Sequence, residues 1–386
     1  VKSGYFKENL PTIQEINSME FKEGMVRLGT GELSPQLYPS KMMKDILARL
    51  SQTITSLNYL EPLGLLELRE ILSERLNEKG IQCKPSNILI TSGSLQALQL
   101  ISVSILKQGL SVYTEAPSYI KSLQVFQSAG MRLIGINMDR EGIQYWKIGR
   151  EKKDKEDAIL YTIPSFHNPT GIVMSAKRRR ELFKFCIDNR LPVIEDDAYG
   201  DIWLEEEPPK PLKSLDKHGM IIYLGTISKA LAPGLRIGWI VGSESIVNRL
   251  GDVKMQTDYG ASSVSQWILK ELLSNEYYEQ YLKEMRIELK SRRDLMVSAL
   301  DKYFKELAVW EIPKGGFYIW LILKRDVSME KLFQVALKQG ILLNPGGIYD
   351  FKKNNALRLS FSYIDKKDIM DNIKKLSDAV RNLTKP

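Results

Sequence analysis

Short runs of apolar residues recur along the chain, separated mostly by longer stretches in which apolar and charged positions follow a helical period. The runs lie at 88–91, 111–114, 133–136, 158–163, 192–195, 221–224 and 237–241. Near-continuous apolar runs of this length read as strands buried on both faces, whereas strands with one wet face alternate. With helices between them they predict an α/β fold: a mainly parallel seven-stranded sheet covered by helices. Helical periodicity marks 41–52, 65–79 closed by Gly80, and a long charged stretch from 264 to about 304. Beyond it the pattern becomes α+β, with a hairpin-like segment over 310–322, a helix over 329–339 and a strand over 356–362. Residues 1–40 read as irregular and end in an extended arm punctuated by Gly and Pro. The predicted organisation is an arm and first helix over 1–50, a large domain over 51–265, a long linking helix over 266–307 and a small C-terminal domain over 308–386.

In a parallel α/β sheet a ligand sits beyond the carboxyl ends of the strands, and several of these ends carry polar side chains. The run 221–224 leads into Gly225-Thr-Ile-Ser228 and then Lys229, the one lysine between Lys217 and Lys254. The stretch 230–241 that follows holds a single charge, Arg236. A lysine desolvated in such surroundings loses proton affinity, which frees its amine to form an imine with an aldehyde; the other reading is a lysine snorkelling at a strand end. After 88–91 comes Ser92-Gly-Ser94 feeding a helix, either an anion site of free N–H groups or an ordinary capped turn. Asn168 precedes Pro169-Thr-Gly171 after the run 158–163, a sequence that also makes a plain turn. Asp196 and Asp197 follow the run 192–195, with Tyr199 just beyond. A solvated turn and a carboxylate metal site are the alternatives there. Arg358 interrupts an apolar strand and so needs a partner or a ligand carboxylate.

Composition narrows the classes. Hydrophobic residues at 43% and charged ones at 26% are ordinary for a globular chain, and 386 residues allow two or three domains. No apolar run matches a membrane span and no secretory signal opens the chain, so the expectation is a cytoplasmic protein with no membrane partner. Cys83 and Cys186 read as small apolar residues rather than a disulfide or a nucleophile pair. With His167 and His218 as the two histidines, a histidine-built metal site or a Ser-His-Asp triad is disfavoured. The net charge of +8 permits an anionic ligand or nucleic acid without requiring either. The Arg178–Arg180 and Glu205–Glu207 runs read as solvated faces of a helix and a loop, with a nucleic-acid patch as the alternative for the first.

One cofactor uses these features together. Pyridoxal phosphate needs a lysine for an imine, a carboxylate for its pyridine nitrogen, a phosphate nest and donors to its ring oxygen. Asn168-Pro-Thr-Gly171, Asp196-x-x-Tyr199, Ser228-Lys229 with Arg236 seven residues on, and the late strand Arg358 together resemble the fold-type I aminotransferase superfamily, over essentially residues 20–386. The resemblance implies pyridoxal 5′-phosphate as cofactor and a homodimer with shared active sites. It implies Lys229 as the imine-forming residue and proton shuttle. Asp196 would partner the pyridine nitrogen, with Asp197 as the nearby competitor, and Asn168 and Tyr199 would hold the ring oxygen. Tyr119, in Glu115-Ala-Pro-Ser-Tyr119, would stack on the ring. Ser94, the Leu95 backbone, Thr226 and Arg236 would take the phosphate, with Tyr59 reaching it from a second subunit, and Arg358 would bind the carboxylate of an amino compound. Leu95 departs from the family pattern, where Gln is common; the change removes a side-chain hydrogen bond and spares a backbone one.

Two stretches, Gly29-Thr-Gly-Glu-Leu-Ser-Pro-Gln-Leu-Tyr-Pro39 and Thr226-Ile-Ser-Lys-Ala-Leu-Ala-Pro-Gly-Leu-Arg-Ile-Gly238, are most similar to the aminotransferase-like domain of MocR-type regulators, in which a GntR-type winged helix-turn-helix is joined to this fold. That resemblance implies an effector-sensing, dimerising domain of a transcriptional regulator. Its ligand would be an amino acid, another amino compound such as γ-aminobutyrate, a dipeptide such as D-alanyl-D-alanine, or the cofactor itself. DNA would be met only through a winged-helix segment that these residues do not contain. Val1 in place of Met fits a segment removed upstream and equally a trimmed chain. The alternative, of a different class, is a working aminotransferase of 2-aminoadipate or aromatic type, cycling an amino acid and a 2-oxo acid with Lys229 moving the α-proton.

Overall fold

The computed structural model describes residues 11–151 and 157–384. One sheet has the spatial order Ile88–Thr91, Gly238–Val241, Ile221–Thr226, Val193–Asp196, Ala158–Thr162, Ser111–Ala116, Arg132–Asp139 and Gly142–Ile143. The first seven are the predicted strands, and the eighth is a two-residue return that pairs antiparallel with Met138 and Asp139. From Ile221–Thr226 through to Arg132–Asp139 every pairing is parallel. Gly238–Val241 alone is reversed between its two neighbours. Its amino end therefore stands at the edge where the other strands have their carboxyl ends, with Gly238 opposite both Thr91 and Thr226.

Period-two alternation divides the strand side chains between two layers. Val112, Ile159, Ile194 and Ile222 pack with Leu98, Ile101 and Phe126 on one face. Tyr113, Leu160, Val193 and Ile221 pack with Leu182 and Cys186 on the other. Burial of each such side chain stabilises by roughly 1.5–3 kcal/mol, so the strand ends that carry the polar groups are anchored from both sides. Cys83 and Cys186 are not joined in a disulfide; the first is half-buried and the second buried.

The C-terminal part holds a three-stranded antiparallel sheet in which Tyr318–Leu323 lies between Ala308–Val309 and Ala356–Ser360. The N-terminal arm is attached to this part: Val26–Arg27 pairs parallel with Ile341–Leu342. Further along, Leu28 accepts from the Ser360 N–H at 2.6 Å and Ser34 donates to the Ser362 carbonyl at 2.9 Å.

Three sequence readings need correction. Residues 1–40 are not irregular throughout, because Pro11–Met19 is a helix that starts on a proline and buries Ile13 and Ile16; residues 1–10 lie outside the described residues. The long linking helix is two helices, Ser263–Leu273 and Tyr277–Tyr303. At the break the Ser274 hydroxyl and Asn275 amide donate to the Lys270 and Glu271 carbonyls, the competition with backbone that makes such residues poor helix interiors. Finally, Arg178 and Arg179, on the helix Ala176–Asp188, do not face solvent. Arg178 pairs with Asp139 and Glu141, and Arg179 donates to the carbonyls of Met174, Pro164 and Lys210 and to the Ser165 hydroxyl. A guanidinium has enough donors to be buried when backbone carbonyls converge on it, and neither arginine remains for a phosphate backbone. Among the described residues no helix is long and apolar enough to cross a membrane.

Candidate functional site

A cavity of about 210 Å³ opens at the carboxyl edge of the sheet. Ser94, Leu95, Tyr119, Asn168, Asp196, Tyr199, Thr226, Lys229 and Arg236 all line it. They come from five separate strand ends, so only the parallel sheet brings them together.

Lys229 is half-buried just beyond the strand Ile221–Thr226, and its Nζ donates to the Gly31 carbonyl of the N-terminal arm at 2.6 Å. Across the cavity Asp196 ends its own strand. Its Oδ2 accepts from the Tyr161 hydroxyl at 2.7 Å, while its Oδ1 is buried with no hydrogen-bond partner. Burial pushes this carboxyl up to about 6, and the Tyr161 bond pulls the other way. Asp197, the competitor, points elsewhere. It accepts from the Tyr223 hydroxyl at 2.7 Å and lines a different cavity with Lys79 and Asp201.

A hydrogen-bonded chain runs along one wall. Arg358 Nη1 donates to Asn168 Oδ1 at 2.8 Å, Asn168 Nδ2 donates to the Tyr199 hydroxyl at 3.3 Å, and that hydroxyl is 3.0 Å from the hydroxyl of Tyr318. Arg358 is buried between the rings of Tyr318 and Tyr349, 4.2 and 4.6 Å from their centroids, and its Nη2 donates to the Gly29 carbonyl at 2.6 Å. Two tyrosine rings, the Asn168 amide oxygen and the Gly29 carbonyl hold the guanidinium without a carboxylate, and its buried Nε is left with no partner. Burial also raises the phenols of Tyr119 and Tyr199, which hold their protons throughout the neutral range.

At the other end of the cavity the helix Ser94–Ser104 begins at Gly93, φ 91°, with no side-chain cap, so its first N–H groups are open to an anion. Arg236, itself left-handed at φ 53°, leans over this turn and donates to the Ser92 carbonyl at 3.0 Å. A Cβ on Gly93 would lie 2.5 Å from Arg236 Nη2, so glycine there makes room for the guanidinium. The Thr226 hydroxyl is 3.0 Å from both the Ile237 carbonyl and the Ser228 hydroxyl.

Tyr59 is not brought to this site within one chain. It is 78% exposed, rests on Tyr259 at 4.9 Å between ring centroids, and lines a separate cavity with Lys254 and Asp258. Four contributors escaped the sequence reading: Tyr161 beneath Asp196, Ser228 beside Thr226, and Tyr318 and Tyr349 around Arg358. The Gly315-Gly316 pair before Tyr318 was the available signal, since Gly315 and Gly316 let this segment close on Phe166. Beneath the wall, Glu115 and His167 are both buried, with His167 Nε2 3.9 Å from Glu115 Oε2. Burial pushes Glu115 up to about 7 and His167 down to about 3.

These groups fit pyridoxal 5′-phosphate. The orphaned Asp196 Oδ1 suits a protonated ring nitrogen, the uncapped helix start with Arg236 suits a phosphate, and Lys229 supplies the amine.

Comparison with known proteins agrees. The family described as aminotransferase class I and II matches residues 23–376. The chain is 48% identical to the HTH-type transcriptional regulator YisV of Bacillus subtilis (strain 168), over 99% of this chain and 79% of that protein. It is 36% identical to the HTH-type transcriptional regulator NorG of Staphylococcus aureus (strain USA300), over 96% of this chain and 84% of that one. Among solved structures, the kynurenine aminotransferase of Pyrococcus horikoshii superposes with a TM-score of 0.93 at 32% identity, covering 100% of this chain and 98% of that one. LysN, the α-aminoadipate aminotransferase of Thermus thermophilus, does so with a TM-score of 0.90 at 29% identity, covering 99% and 97%.

Proposed function

The chain belongs to the aminotransferase class I and II family, whose cofactor is pyridoxal 5′-phosphate, and on that premise we propose that it is the effector-sensing, dimerising part of a transcriptional regulator. The observation that carries this reading is the 48% identity to an HTH-type regulator across 99% of the chain, against 32% to the kynurenine aminotransferase. The site would take an amino compound and report its presence through a shift between two conformations, which a winged helix joined upstream would read as a change in DNA affinity.

When bound, the cofactor supplies an aldehyde that captures primary amines and a ring that draws electrons from the adjoining carbon. The residues divide the remaining work. Lys229 offers its amine for attachment and, once released, holds or returns a proton beside the α-carbon. Asp196 Oδ1, which has no partner in the protein, would accept from the ring nitrogen and keep it protonated, with Tyr161 fixing the other oxygen. Tyr119 would cover one face of the ring, and Asn168 and Tyr199 would orient the ring oxygen. Ser94, the Leu95 N–H, Thr226 and Arg236 would hold the phosphate, and Tyr59 of a second copy of the chain would assist them. Arg358 receives the ligand carboxylate with its fork and free Nε.

The second reading, a working aminotransferase, is favoured by the lysine, the carboxylate and the phosphate-side groups that share one cavity and by the TM-score of 0.93 to an enzyme. One experiment separates the two. The purified protein is loaded with cofactor and its visible absorption followed as amino acids and dipeptides are added with a 2-oxo acid acceptor. A long-lived spectral shift with one ligand and negligible turnover is expected of the sensor. Repeated conversion to the amine form of the cofactor and back would overturn that reading in favour of the enzyme.

A further inference from the structure

The cavity holds one charged group that the cofactor does not employ. Glu32, half-buried on the N-terminal arm, lines it together with Lys229 and Arg236. Its backbone is fixed, because the Ser362 hydroxyl donates to the Glu32 carbonyl at 2.6 Å. Its carboxylate has no hydrogen-bond or ion-pair partner among the described residues. The other acid lining the cavity, Asp196, is held by Tyr161 and set opposite the ring nitrogen. Glu32 is therefore the acid left for whatever the amino compound carries beyond its reacting amine.

The arm also sets a spacing. Gly29 accepts from Arg358, Gly31 accepts from Lys229, and Glu32 comes next. A Cβ on Gly31 would lie 2.3 Å from the Tyr318 hydroxyl and one on Gly29 would lie 2.0 Å from Asn344 Oδ1, so glycine at both positions holds the arm this close to the site. Three residues reach at most about 10 Å, so Glu32 lies within that reach of the carbonyl that Arg358 holds and apart from it along the arm. A carboxylate on this wall repels a second carboxylate and attracts a second cation.

We infer that Glu32 is the specificity-determining residue of the site and that the amino compound it selects is dibasic. Such a ligand has a carboxylate for Arg358, one amine at the cofactor beside Lys229, and a second amine on a side chain of three or four methylenes for Glu32. Amino acids with two carboxylates are turned away. This rests on the proposal above that the site takes amino compounds.

The test is a spectral titration of the cofactor-loaded 386-residue chain with L-lysine, L-ornithine, L-norleucine and L-2-aminoadipate. Lysine or ornithine should bind at least about tenfold tighter than norleucine, with 2-aminoadipate weakest. Glu32→Gln should bring lysine and norleucine within about threefold of each other, and Glu32→Lys should reverse the order in favour of 2-aminoadipate. A lysine-to-norleucine ratio that is the same in the native protein and in Glu32→Gln overturns the inference. If the Lys229-bound cofactor shows its band but no amino acid alters it, the parent proposal falls and this one with it. Equal responses to lysine and norleucine in the native protein overturn only the selection by Glu32.

Discussion

Lys229 and Asp196 line one small cavity and Arg358 is joined to its wall through Asn168, although 33 and 129 positions separate Lys229 from the other two. Lys229→Ala should abolish the visible band of the lysine-bound cofactor while the far-ultraviolet dichroism stays native; a retained band would mean that another amine carries the cofactor. Arg358→Ala should weaken the response to amino acids by about 3 kcal/mol and cofactor binding far less, because it strips a buried fork of donors from the ligand side. Titration with an amino acid and with its decarboxylated amine checks this, since only the first should lose affinity. Glu115 gives a prediction in pH. Its ordinary value of 4.5 rises to about 7 on burial, so between these values the unfolded chain ionises while the folded chain stays protonated. Stability is thus full below pH 4.5 and falls as pH rises through 7, by a loss on the order of 3 kcal/mol. In the cofactor-free protein, denaturation midpoints at pH 5 and pH 8 should show a smaller drop for Glu115→Gln than for the native chain. His167 works in the opposite sense, losing stability as pH falls below 6.5, which is why the difference between the two proteins is the quantity to measure. Asn168, Asp196, Lys229 and Arg358 were legible as residues because each is a polar group placed where an apolar strand begins, ends or is interrupted. Tyr318 and Tyr349 were not, since a tyrosine within an apolar stretch looks the same whether its ring fills the core or holds a guanidinium.

Strands were the most readable elements because burial on both faces leaves few polar residues in their interiors, and the seven runs stand out for that reason. Their closeness is testable at Gly238. A Cβ there would lie 2.8 Å from the Gly93 carbonyl carbon and 2.9 Å from the Ser94 nitrogen, both backbone atoms that cannot step aside. Gly238→Ala should therefore destabilise by about 1–3 kcal/mol and widen the anion turn, seen as a lower denaturant midpoint together with weaker binding of the cofactor phosphate. Helices were readable in their interiors and misread at their ends and exposures. The arginines at 178 and 179 look like a wet face until carbonyls from three other segments are seen to surround Arg179. The break after Leu273 depends on Ser274 and Asn275, residues that a long amphipathic pattern tolerates on paper and that the backbone does not.

At the scale of the whole molecule, Tyr59 is the residue that a single chain leaves outside its site, exposed beside Tyr259. If it completes the phosphate site of a second copy, Tyr59→Ala should lower cofactor affinity without altering the Lys229 attachment itself. Mixing Tyr59→Ala with Lys229→Ala subunits should then restore native affinity in a fraction of sites, as judged by cofactor titration of the mixture; a mixture no better than the separate variants would place Tyr59 outside the shared site. The sequence by itself determined the order of elements and the α/β class, because these follow from local periodicity, and its motifs, through their resemblance to a known superfamily, implied the cofactor and the side chains that could serve it. Only the tertiary structure decided which aspartate faces the cavity, which tyrosines enclose Arg358, and that Glu32 of the arm lies beside Lys229. Those choices depend on contacts between separate segments, 35 residues apart for Tyr161 and Asp196 and 198 for Gly31 and Lys229, and no spacing along the chain encodes the direction from which a side chain will arrive.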